Sequence, residues 1–109
     1  MHRLVVGFVV CSMVSLVSAS AEEPGDAKAG LQYVRANCAE CHEVERHSKI
    51  VPDFEAPGFL EIANMSGMTG RALVVALQTS HKKMPNFVLP EKDRNDVVAY
   101  IMSLRSSRP

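Results

Sequence analysis

An all-α domain of three to four helices is what this 109-residue sequence predicts, on the strength of two periodic stripes and one shortage. Val97, Tyr100, Ile101 and Leu104 recur at i, i+3, i+4 and i+7, the spacing that lines one face of a helix. Gly30 and Val34, with Tyr33 beside them, repeat the i, i+4 spacing near the other end of the chain. The shortage is aromatic. Beyond residue 21 only Tyr33, Phe54, Phe59, Phe87 and Tyr100 remain, with no tryptophan, so the helices need apolar surface from another source to build more than a thin core.

The chain begins with a segment of a different kind. Met1-His2-Arg3 is a short positive start, residues 4–17 are almost wholly apolar, and Ser18-Ala19-Ser20-Ala21 ends in the small-residue pattern cut by signal peptidase. We therefore expect a cleaved secretory signal peptide over 1–21 and a single domain over 22–109. The apolar run of 14 residues is shorter than the ~20 a spanning helix needs, so no stable membrane insertion is expected after cleavage. Val10 stands where a lipid anchor at Cys11 would require a small residue. Cys11 leaves with the signal, and both remaining cysteines lie within four residues of each other.

Once Arg3 is removed, eleven basic side chains face twelve acidic ones, a formal charge of −1. No basic stripe supports nucleic-acid binding. Glu40, Glu43 and Glu45 gather in one short stretch, and Lys82 and Lys83 in another. Both read as solvated faces, or as weak, salt-screened guides for a partner.

Pro24-Gly25 ends any continuation of the signal helix, so 22–25 should be a frayed lead-in. Asp26 then caps a first helix running to about Asn37. A glycine inside that helix, Gly30, costs ~1 kcal/mol against alanine, which reflects either simple tolerance or the close approach of another helix. Residues 44–55 carry charge, Ser48 and Pro52 without periodicity and read as loop. A turn at Ala56-Pro57-Gly58 leads into a short helix through Ile62, Ala63 and Met65. Thr69 caps a third helix over 70–79, with Leu73, Ala76 and Leu77 as its inner stripe. Residues 80–89 are irregular. Pro90 suits the first turn of a final helix reaching about Arg105, with Glu91, Asp93 and Asp96 at its positive start and Arg105 near its negative end. Residues 106–109 should fray.

The run Cys38-Ala39-Glu40-Cys41-His42 follows directly on the first helix. Two thiols three residues apart with an imidazole next in line match the C-x-x-C-H attachment signature of c-type haem. Each sulfur can add across one porphyrin vinyl group, and the adjacent histidine is then delivered beneath the iron. A thioredoxin-like pair would follow a buried strand, whereas a helical pattern precedes Cys38. A zinc site needs a second ligand pair, and His47 and His81 lie far outside finger-like spacing. Pro57 can aim a carbonyl at the Nδ1 proton of His42, and Pro52 is the competing residue. Met84, on a loop and followed by Pro85, is the thioether suited to the opposite face of the iron, while His81 is the rival. Arg46, Lys49 and Arg71 are unranked partners for the haem propionates.

Together these residues resemble the class I monohaem cytochrome c family in its small bacterial periplasmic form. The likeness runs through Gly30, Cys38-Ala39-Glu40-Cys41-His42, Ala56-Pro57, Met84-Pro85-Asn86-Phe87, Val97 and Tyr100. It implies a small cytochrome c fold wrapped around one covalently attached haem c, the first and last helices crossing near Gly30 and Tyr100. It implies His42 and Met84 as axial ligands and the Pro57 carbonyl as the partner of His42. Val34 stands where the family often has phenylalanine, with Tyr33 next door able to compensate. The expected role is periplasmic electron transfer, the iron cycling between Fe(II) and Fe(III) with no catalytic residues. Donor and acceptor would be redox proteins such as a periplasmic dehydrogenase or a terminal oxidase. The alternatives are an electron-accepting subunit of a dehydrogenase complex, such as a molybdenum enzyme, and a gas- or peroxide-reactive haem protein.

Overall fold

The computed structural model describes residue 15 and residues 23–46, 56–81 and 83–106. The predicted signal peptide apart from residue 15, the loop residues His47, Lys49 and Pro52, Lys82, and the chain end past 106 lie outside the described residues. Four helices follow in order: α1 (Ala27–Asn37), α2 (Phe59–Asn64), α3 (Gly70–Gln78) and α4 (Glu91–Ser103). Among the described residues no strand forms, and one isolated bridge joins His81 to Met84. No described helix is long and apolar enough to cross a membrane.

The caps explain where the helices start. Asp26 is extended, and its carboxylate accepts from the backbone of Lys28 at 2.8 Å and Ala29 at 3.3 Å, satisfying two amides that α1 leaves without partners. Thr69 does the same for Ala72 at 3.1 Å at the head of α3. Pro90 sits one position earlier than expected, at the cap of α4 with ψ 148°, because the helix takes up its carbonyl through Arg94 N–H at 2.9 Å but does not include its own φ,ψ. Helix α2 ends at Asn64 rather than reaching Met65, whose ψ of 139° breaks the helix ahead of Gly67 at φ +76°.

Helix α4 is the spine. Helices α1, α2 and α3 each pack on it, and none of the three packs on another. Val97, Val98, Tyr100 and Ile101 on α4 and Leu104 at its C-cap are buried, against Val34 of α1, Phe59 and Ala63 of α2 and Leu73 of α3. Ala76 and Leu77 are only half-buried, Leu77 packing against the core, so Leu73 alone in the predicted inner stripe of α3 is fully buried.

Gly30 marks the α1–α4 crossing. A Cβ there would lie 2.0 Å from the Asp96 carbonyl oxygen and 2.8 Å from Tyr100 Cβ, so close approach, not tolerance, accounts for the glycine. Val34 is wholly enclosed one turn further on.

Three expectations are corrected. Residues 23–25 of the lead-in do not fray: Gly25, at φ +117°, sits against the Asn95 carbonyl, Asp26 N–H donates to Asp96 Oδ1 at 2.8 Å, and the Glu23 carboxylate lies over Gly70. Asp96 is a buried anchor and not merely an acidic residue near a helix start; its other oxygen accepts from Lys92 Nζ at 2.6 Å. Arg105 falls beyond α4 and donates to the Met68 carbonyl at 3.0 Å, while Arg46 serves the end of α4, donating to the Leu104 carbonyl at 2.6 Å.

Candidate functional site

The C-terminus of α1 delivers the motif. Cys38 N–H makes the last helical bond to the Val34 carbonyl at 2.9 Å, and the Cys38 carbonyl then accepts from Cys41 at 3.2 Å and His42 at 3.0 Å. One oxygen thus closes a single turn that carries both sulfurs and the imidazole. Neither thiol is in a disulfide; Cys38 is half-buried and Cys41 exposed.

Burial, and secondarily the neighbouring Cys41, pushes the Cys38 thiol up to about 11. Thiol–disulfide enzymes depend on the opposite shift, because the thiolate is their nucleophile. Among the described residues no group of three or more His, Cys, Asp or Glu side chains could hold a metal ion.

His42 Nδ1 lies 2.8 Å from the Pro57 carbonyl oxygen. A carbonyl can only accept, so the proton is on Nδ1 and the lone pair on Nε2. The ring also meets Phe59, centroids 5.1 Å apart and planes at 42°. Phe59 N–H donates to the Glu43 carbonyl at 2.8 Å, and Tyr100 Oη–H donates to the Val44 carbonyl at 2.5 Å. Residues 42–44 are therefore gripped from the α2 approach on one side and from α4 on the other. Val44, expected in a loop, is 4 % exposed because of this.

The rival ligands Met84 and His81 share one turn, closed by Met84 N–H donating to the His81 carbonyl at 3.0 Å. Met84 is half-buried. His81 is exposed, with Nδ1 3.1 Å from the Thr79 carbonyl. Of the propionate candidates, Arg46 is directed to the end of α4, Arg71 is exposed in the first turn of α3, and Lys49 lies outside the described residues.

The residues fit a covalently held haem. Both sulfurs are unpaired, Nε2 of His42 has no hydrogen-bond partner among the described residues, and large apolar side chains stay uncovered by protein: Val75 on α3, and Phe87 and Val88 just past Met84. A flat apolar group would supply the contacts that α1, α2 and α3 do not make with one another.

Beside the motif, Glu43, Glu45 and Glu61 line a cleft of about 380 Å³. The Arg35 guanidinium, 2.6 Å from Glu45, holds that carboxyl below its usual range, and Arg35 is itself shifted up. Sequence reasoning missed Phe59 as a neighbour of His42. The available signal was its place two residues after Pro57, in a chain with few aromatics.

A family model described as cytochrome c oxidase, cbb3-type, subunit III matches residues 25–101. No curated protein and no solved structure gives a match.

Proposed function

The chain belongs to the cytochrome c family represented by that cbb3-type subunit III, and carries covalent haem c for electron transfer; from this premise we propose an exported, periplasmic one-electron protein with His42 and Met84 as axial ligands. Haem c supplies the Fe(II)/Fe(III) couple when bound, and the remaining work belongs to the chain. Cys38 and Cys41 tether the macrocycle. Pro57 keeps the Nδ1 proton in place, so Nε2 would be the nitrogen to hold the iron, with its donor strength raised. Sulfur from Met84 favours the reduced state relative to a second imidazole. Leader 1–21 routes the domain out of the cytoplasm and is then removed.

The observation that carries this reading is the hydrogen bond from His42 Nδ1 to the Pro57 carbonyl, because it leaves the other ring nitrogen as the only one able to coordinate. Terminal oxidases are the favoured acceptors, since the matched family is described as an oxidase subunit. A periplasmic dehydrogenase is the second partner class. The test is visible and near-infrared absorption of both redox states. Thioether-shifted bands and a sulfur-to-iron charge-transfer band are expected, the latter lost in Met84→Ala and kept in His81→Ala. Absence of that band from the wild-type protein, with low-spin ligation lost in His81→Ala and kept in Met84→Ala, would transfer the sixth position to His81. Inertness of the ferrous protein to carbon monoxide is expected; rapid binding would favour a gas-reactive haem protein.

A further inference from the structure

We propose that Phe59 is a positioning residue that sets the plane of the His42 imidazole, an inference that rests on His42 being an axial ligand. Segment 57–59 grips residues 42–43 at three points. The Pro57 carbonyl takes the Nδ1 proton at 2.8 Å, Phe59 N–H holds the Glu43 carbonyl at 2.8 Å, and the Phe59 ring meets the imidazole at 5.1 Å.

These contacts divide the task. Hydrogen bonds to a carbonyl oxygen tolerate a broad range of angles, so the Pro57 bond chooses the tautomer and the direction of Nδ1 but leaves the ring free to tilt about it. An aromatic face removes that freedom. The centroid distance lies within the range of interacting aromatic pairs, and the 42° tilt falls between the stacked and edge-to-face arrangements. Phe59 can act as a stop because it is itself immobile: it is 5 % exposed, sits in the core with Ala63 and the α4 side chains, and is tied through its own N–H.

The plane of an axial imidazole decides how its π orbitals overlap the iron d orbitals. It is therefore read directly by the g values of the ferric protein and by the order of the haem-methyl proton resonances.

Phe59→Leu keeps apolar volume and removes the flat face. The expected result is a low-spin signal with altered g values and a changed haem-methyl order, with the sulfur-to-iron band retained. Phe59→Tyr keeps the face and is expected to hold the wild-type pattern. Gly58→Ala, whose added Cβ would meet only Glu43 at 3.6 Å, is expected to do the same. If Phe59→Leu does not accumulate, Phe59→Met replaces it with the same two outcomes. Wild-type g values and methyl order in a Leu or Met variant that unfolds more easily would overturn the proposal and leave Phe59 as core filler. A wild-type low-spin signal persisting in His42→Gly would instead overturn the ligand assignment beneath it.

Discussion

Asp96 Oδ1 accepts the backbone N–H of Asp26 at 2.8 Å, joining residues seventy positions apart at the point where α1 begins and α4 becomes buried. Asp26 in turn caps α1, so the two carboxylates act in series: one starts the helix and the other fixes where it starts. Immediately beyond, Gly30 lets the helix backbones close on each other.

That linkage has a pH signature. The bond from Lys92, then the bond from Asp26 N–H, holds the Asp96 carboxyl below its usual range. A carboxylate whose folded value lies below its unfolded value of ~3.9 contributes stability fully above the unfolded value, and loses it as pH falls through the folded one. Acid unfolding of the holoprotein should therefore begin at higher pH in wild type than in Asp96→Asn, measured relative to each protein's own neutral stability. Asp96→Ala, which leaves the Asp26 amide without an acceptor, should be the less stable of the two variants at pH 7.

Gly30→Ala should destabilise by about 1–3 kcal/mol in chemical denaturation, because the overpacked contact is with backbone and outweighs the helix preference of alanine. Gly67→Ala meets nothing within 4 Å, and its cost of about 1–2 kcal/mol comes from φ +76° alone.

Tyr100→Phe deletes the donor to the buried Val44 carbonyl and should cost about 1–3 kcal/mol of unfolding free energy. The absorption bands of the folded variant should stay unchanged, since the ring and its contact with α1 remain.

Arg46→Ala removes the cation at the C-terminal end of α4 and should cost about 1 kcal/mol. Its midpoint potential should match wild type. A large change in potential would return Arg46 to the haem propionates.

Cys38→Ala/Cys41→Ala, which prevents covalent attachment, should lose most of its far-ultraviolet helical signal. Helices α1, α2 and α3 share α4 as their packing partner but not one another, and 88 residues past the expected leader hold few aromatics to replace the missing contacts.

Read alone, the sequence determined whatever depends on neighbours along the chain. The C-x-x-C-H run is a chemical statement complete in five residues, and the capping residues Asp26 and Thr69 and the stripe of α4 follow from periodicities of three and four. Pro57 was legible as a carbonyl that could reach His42, but an ordinary turn proline was an equal reading of it, and Pro52 competed for the role. Tertiary structure brought Pro57 to His42, laid Phe59 against its ring, turned Arg46 away to α4, buried Asp96 and pinned the lead-in that sequence left to fray. Each of these joins groups from about fifteen to seventy residues apart. Local pattern encodes which face of a helix is apolar, but not which buried polar group will meet it, because that choice is made only when α1 and α2 close on α4 and every enclosed donor and acceptor must find a partner.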